Sequence, residues 1–204
     1  MRYCVGLDLG QSMNFTAVIV AERHQPPKAP AGVPWGERPL ATYDVRYIKR
    51  WTLGTPYPAI VQDVAALITH PPLAGDNTLL VDYTGCGRPV VDMMRQQGLF
   101  PRGITIHGGD RVTQDGMDYR VPKRDLVGVV ACLLQQQRLR IAARLPETPI
   151  LTQELLNFKV KIDPQTAHDS YSAWREADHD DLVLALAMAL WWGEQYGGKQ
   201  AGVW

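Results

Sequence analysis

The sequence lacks most of the features that would place it in a simple class. Its 204 residues hold only three cysteines, Cys4, Cys86 and Cys132, widely spaced and without a CxxC pair. An odd, scattered set excludes a secretory disulfide framework and fits reduced thiols in a cytoplasm. The N-terminus, MRYCVGLDLG, has no charged segment followed by a long apolar run, so no signal peptide is expected. The longest apolar run, Leu182 to Trp192, is eleven residues, too few to span a bilayer, and no membrane partner is expected. An excess of charge is missing too. Lys and Arg total 21 and so do Asp and Glu, which excludes a generally basic nucleic-acid binder and an acidic tail. Any nucleic-acid site must come from a local patch. Repeats and low-complexity tracts are absent, and nothing matches the GxxxxGK[ST] phosphate loop of an ATP-driven motor.

What is present reads as one domain over residues 1–204, with 46% hydrophobic and 21% charged residues. A chain of this size buries a sufficient core without disulfides or a structural metal. Tyr3 to Leu9, Thr16 to Ala21 and Thr42 to Trp51 read as three consecutive antiparallel strands. Between the last two, five prolines crowd residues 26–39, a composition that neither a helix nor a central strand accepts, and residues 25–38 read as a long surface loop. The pattern then changes to strand–helix alternation. Tyr57 to Thr69 carries Ile60, Val61, Val64, Leu67 and Ile68 at helical spacing. Thr78 to Val81 reads as a buried parallel strand, followed by a helix from Pro89 to Gln97 and a strand from Ile104 to His107. A polar excursion to Tyr119 follows, then a helix from Lys123, a strand from Leu139 to Ala142 and a helix from Thr152 to Phe158. Phe158 to Ile162 and Asp169 to Trp174 suggest a late hairpin, and Asp181 to Tyr196 the closing helix. The Gly-rich tail, 197–204, is expected to be flexible. The fold class is therefore α/β: a mixed sheet of three antiparallel strands followed by parallel ones, flanked by helices.

Charge is unevenly spread. Eight basic residues lie between Arg102 and Arg144 against four acidic ones, while 163–181 holds six acidic residues against Arg175 alone. A basic stretch beside an acidic pole suits a site that takes cations and a polyanion together, although solvated faces give the same composition. Three aspartate positions are awkward for stability. Asp8 interrupts the apolar first strand, Asp82 ends the run Leu79-Leu80-Val81, and Asp180-Asp181 opens the apolar last helix. Taken singly, Asp180 or Asp181 could cap that helix, and Asp82 could hold the turn after it. Brought together, they would repel one another at a cost of several kcal/mol unless a cation offset it. Oxygen-only ligands favour Mg²⁺ or Mn²⁺ over zinc.

Taken in order, Gly6-Leu7-Asp8-Leu9-Gly10-Gln11-Ser12, Leu80-Val81-Asp82-Tyr83-Thr84-Gly85-Cys86-Gly87 and His179-Asp180-Asp181-Leu182-Val183 form a more specific pattern. With the alanine-rich helix that follows, they resemble the nuclease domain of phage large terminases, which is ribonuclease H-like and related in fold to Holliday-junction resolvases. The resemblance implies a ribonuclease H-like sheet and a DNA endonuclease using two divalent ions, Mg²⁺ or Mn²⁺. On it, Asp8, Asp82 and Asp181 match the metal-binding and catalytic carboxylates, with Asp180 as a helper. Asp8 would bridge two ions about 4 Å apart. Lys123, Arg124, Arg120 and Arg111 are the candidate phosphate contacts on double-stranded DNA, and the excursion from His107 to Tyr119 a candidate flap.

Many relatives carry a further acidic residue one helical turn beyond the pair, where this sequence has Leu184. Full-length large terminases also begin with an ATPase domain, and the resemblance implies a separate ATPase domain or subunit, small terminase and portal as partners. The setting would be a host cytoplasm. A non-catalytic ribonuclease H-like module binding DNA or a partner, and a junction resolvase, are the alternatives. Asp8-Leu9-Gly10-Gln11-Ser12 also resembles the first phosphate loop of actin-like kinases, but a second DxG loop and a Gly-Gly adenosine motif are missing.

Overall fold

The computed structural model of the protein describes residues 2–10, 14–27, 32–34, 38–85, 87–161 (backbone alone for 158–161) and 180–197. In chain order the elements are β1 (Tyr3–Asp8), β2 (Ala17–His24), β3 (Thr42–Arg50), α1 (Tyr57–Thr69), β4 (Asn77–Asp82), α2 (Gly87–Gln96) and β5 (Arg102–His107). Then come β6 (Thr113–Asp115), β7 (Asp118–Pro122), α3 (Lys123–Gln135), β8 (Leu139–Ile141), α4 (Thr148–Lys161) and α5 (Asp181–Tyr196). The strands form one mixed sheet in the order β6-β7-β5-β4-β1-β2-β3-β8. As the alternation of patterns implied, β1, β2 and β3 pair antiparallel, whereas β4 joins β1, and β5 joins β4, in parallel.

β1 is buried along its whole length because both of its faces are covered. Cys4, Ala17, Ile19, Leu80 and Ile104 face a core shared with α3, α4 and α5. Val5, Leu7, Val18, Val20, Leu79 and Val81 point the other way, into a core with α1 and α2. The period-two alternation of these residues thus assigns each strand position to one helical layer. Helix α5 is apolar nearly all round, since it lies directly across the central strands. Leu182, Leu186 and Leu190 are each fully buried, worth roughly 2 kcal/mol apiece. Its approach to β1 depends on Gly6, where a Cβ would collide with the carbonyl of Ala185.

The polar excursion after β5 contains a hairpin that the sequence pattern did not mark: β6 and β7 pair antiparallel at the sheet edge, turning at Gly116 with φ 58°. One expectation needs correction. The first strand expected of the late hairpin, Phe158 to Ile162, is helical as far as Lys161. Pro149, in the first turn of α4, starts that helix earlier than expected, and its period carries through. The second strand, Asp169 to Trp174, lies outside the described residues, as do 198–204 of the tail.

Candidate active site

The parallel pairing of Leu7 with Val81 sets Asp8 and Asp82 side by side where β1 and β4 end. Position parity points both at the α5 layer, the face shared by Cys4, Gly6 and Leu80. Their carboxyl groups share a side-chain hydrogen bond, and one oxygen of Asp82 also accepts the Thr84 N–H at 2.8 Å. Asp82 therefore does hold its turn, but with only part of its bonding capacity. Behind Asp8 the chain is pinned by two contacts. Gly10 N–H donates to Thr16 Oγ1 at 3.1 Å, and the Tyr57 hydroxyl, at the start of α1, donates to the Gly10 carbonyl at 2.9 Å.

The third side of the site is the start of α5. Asp181 is its first residue and is buried; Asp180 stands at the N-cap yet makes no side-chain capping bond. The cap comes from another helix. Glu154 Oε2, on α4, accepts the main-chain N–H groups of Leu182 at 3.0 Å and Val183 at 3.2 Å. Arg50, the last residue of β3, links the two, with Nη1 3.4 Å from Glu154 and Nη2 3.9 Å from Asp181. The guanidinium is itself laid over the Phe15 ring, 3.7 Å from its centroid. On the other flank, Lys123 Nζ lies 3.9 Å from Asp180, at the start of α3.

Four carboxylates meeting in a buried place disfavour the ionised form. Burial, then the charges of Asp82, Asp181 and Asp180, push the Asp8 carboxyl well above its ordinary range, and its hydrogen bond with Asp82 adds to this. Burial likewise raises Glu154 to about 7, against the lowering pull of the Val183 N–H. The donor set is all oxygen and dense in negative charge, and among the described residues Lys123 and Arg50 approach it at 3.9 Å. Such a set fits a hard divalent cation.

The remaining predicted residues fall around this centre rather than in it. Arg124 is tied to Asp110, its Nη1 2.6 Å from the carboxylate and Nη2 2.9 Å from the main-chain oxygen. Arg120 is exposed on β7 and Arg111 in the loop before β6. The sequence assigned no site role to Arg50 or Glu154, although Glu154-Leu155-Leu156-Asn157-Phe158 is a lesser part of the family resemblance. The signal for Glu154 was there, one turn after Leu151 on the buried face of α4; for Arg50, at the end of an exposed-looking strand, there was none.

A second group lies at the opposite end of the strands. Glu22, His24 and Asp44 bring one ligand atom each within 4.8 Å of one another. Arginines already neutralise it: Arg46 Nε is 2.5 Å from Glu22, and Arg140 Nε is 2.6 Å from Asp44. It is an ion-pair network.

Among the described residues, no helix is long and apolar enough to cross a membrane. No protein-family model matches the sequence, and no curated protein matches it. Solved structures do match. The large terminase nuclease from thermophilic phage G20c superposes with a TM-score of 0.56 at 18% identity, covering 96% of this chain and 82% of that one. The human cytomegalovirus terminase nuclease domain matches twice. A manganese-soaked crystal gives a TM-score of 0.52 at 11% identity, covering 94% of this chain and 84% of that one. A second structure of it gives 0.50 at 14% identity, with 94% and 83% covered.

Proposed function

We propose, from a fold shared with these terminase nuclease domains, that the protein is a divalent-metal-dependent DNA endonuclease of the terminase large-subunit type. One observation carries the reading: Asp8, Asp82, Asp181 and Asp180 come from three separate elements to one end of the sheet. In an open α/β sheet the carboxyl ends of the strands are where ligands sit. Asp8, Asp82 and Asp181 would hold two Mg²⁺ or Mn²⁺ ions, with Asp180 assisting. Bound there, the metal supplies positive charge that activates water and stabilises the leaving oxygen of a phosphodiester.

The chain's own residues do the rest. Glu154 and Arg50 fix the start of α5 and thereby the place of Asp181. Lys123, in the wall beside Asp180, is the nearest candidate contact for the backbone of double-stranded DNA. Arg120, Arg111 and Arg124 extend the basic surface beside it, positioning the duplex without reading its sequence. The β6–β7 hairpin is the candidate flap. The setting is viral DNA packaging in a host cytoplasm, beside an ATPase, small terminase and portal supplied by other domains or subunits.

The test is nicking of supercoiled plasmid in Mn²⁺, Mg²⁺ or chelator, with Asp181→Ala as control. Metal-dependent nicking by the wild type, lost in the variant, is the expected result. A folded wild type that binds DNA but cuts in no metal would replace this reading with a non-catalytic binding module. Preference for four-way junctions over linear duplex would make it a resolvase.

A further inference from the structure

Arg23 carries a buried charge that no ion pair among the described residues balances. It sits on β2, beneath the far end of α5, and is 8% exposed. Its Nε and Nη1 are buried and have no hydrogen-bond acceptor. A guanidinium does not deprotonate in a protein, so the group cannot escape by losing its charge. Among the described residues it forms no ion pair, and the neighbouring carboxylates are taken. Glu22 is held by Arg2 and Arg46, and Asp44 by His24, Arg46 and Arg140. Glu194 is held by Arg138 at 2.7 Å and the Tyr43 hydroxyl at 2.8 Å.

Two other ionisable groups feel the Arg23 charge, the Cys4 thiol and the Tyr43 hydroxyl. Burial raises both, Cys4 to about 12, so both are neutral at pH 7. Among the described residues, the remaining compensation is the C-terminal end of α5. A Cβ placed on Gly197 would lie 2.5 Å from Arg23 Cδ and Nε, so the helix end abuts the guanidinium. The dipole of a helix end amounts to about half an elementary charge, which leaves part of the arginine charge unanswered.

The same arginine lines a pocket of about 430 Å³ with Arg2, His24, Gln25 and Asp76. This pocket lies at the N-terminal end of β1, a strand length of roughly 20 Å from Asp8. Its walls are rich in donors. Arg2 enters on Glu22, His24 on Asp44, and the Gln25 side-chain amide donates to the Gly197 carbonyl at 3.2 Å. Asp76 is the one carboxylate in the lining, and it accepts the main-chain N–H of Arg2 at 2.9 Å.

We propose that this pocket binds a phosphate group, free or carried by a mononucleotide, with Arg23 in its wall supplying positive charge that no ion pair among the described residues offsets. A volume of this order accommodates a small ligand rather than a macromolecular surface. The site is independent of the nuclease reading and of metal.

The test is thermal unfolding of the full chain in inorganic phosphate or 5′-AMP, against sodium chloride of equal ionic strength. Phosphate at ~50 mM should raise the midpoint by roughly 5 °C, the rise that a millimolar site gives a chain of this size. A larger rise with 5′-AMP identifies a nucleotide as the source, and an equal one the free ion. Arg23→Met should abolish the rise and, without phosphate, be at least as stable as the wild type. No rise beyond the chloride control, or a rise retained by Arg23→Met, overturns the proposal. Should that variant fail to fold, ¹⁵N spectra of the wild type decide. Phosphate must shift the Gln25 side-chain amide and the Arg23 Nε–H signals, and unmoved signals overturn it equally.

Discussion

Glu154 holds the main-chain N–H of Leu182 at 3.0 Å, across the gap between two helices. The consequence reaches Asp181, the preceding residue, whose place is set from α4 rather than by its own helix. Losing the Glu154 carboxylate removes the cap and leaves the Arg50 guanidinium without its nearest partner. Glu154→Ala should therefore cost about 3 kcal/mol in urea unfolding. Glu154→Gln keeps an acceptor oxygen and should cost only about 1 kcal/mol. On the nuclease reading, the alanine variant should also weaken Mn²⁺ binding about tenfold by calorimetry.

Repulsion among the carboxylates around Asp8 works against folding whenever no cation is present. Asp8→Asn should accordingly raise the unfolding midpoint in chelator by about 3 °C, the effect of roughly 1 kcal/mol. The wild type should gain stability on adding Mn²⁺, and the variant should not. A differential scan with and without chelator reads both.

The Cys4 thiol gives a pH dependence of definite sign. Burial raises it from 9.0 to about 12 in the folded protein. Below pH 9 both states keep the proton and the group contributes nothing to the slope. Between 9 and 12 the unfolded chain releases a proton that the folded one retains. Stability should thus fall with rising pH by about 1.4 kcal/mol per unit from this group. Urea unfolding at pH 9, 10 and 11 should show the decline, and Cys4→Ala should reduce it.

Gly6→Ala tests the approach of α5 to the sheet. The added methyl meets the Ala185 carbonyl, a backbone atom that cannot swing aside. The expected loss is about 3 kcal/mol, at the upper end of overpacking effects, visible as a lowered midpoint.

Lys123 offers a test of DNA contact separate from cleavage. Lys123→Ala should weaken binding of a short duplex regardless of sequence, and should lower the slope of log affinity against log salt by about one. Fluorescence anisotropy in Ca²⁺ over a salt series measures it. An unchanged slope would remove Lys123 from the interface.

The frame of the fold was legible because its signals are local. Alternation in Tyr3–Asp8 and Ala17–His24, and the spacing of Ile60, Val61, Val64 and Ile68, follow from periodicity alone. The aspartates were legible as misfits, since a carboxylate inside Val5-Gly6-Leu7 or after Leu80-Val81 violates the pattern around it. What stayed hidden is what depends on distant partners. Taken singly, Asp180 or Asp181 at a helix start could equally have been a cap; only the position of α4 shows that Glu154 does the capping. The β6–β7 hairpin was missed because all three residues of β6 are exposed and polar, so no alternation marks it. Arg23 offered no signal, because its isolation depends on which carboxylates its neighbours occupy.

Helix α5, packed over Gly6 and carrying Asp181, is separated from β1 by most of the chain. During synthesis the central strands must wait, one face bare, until residues 181–196 have left the ribosome. Long-range closure of this kind slows folding and leaves apolar surface open to aggregation meanwhile. It also orders events in time. The acidic centre is incomplete until α5 docks, so on the nuclease reading the protein would stay harmless to nearby DNA until that helix is in place.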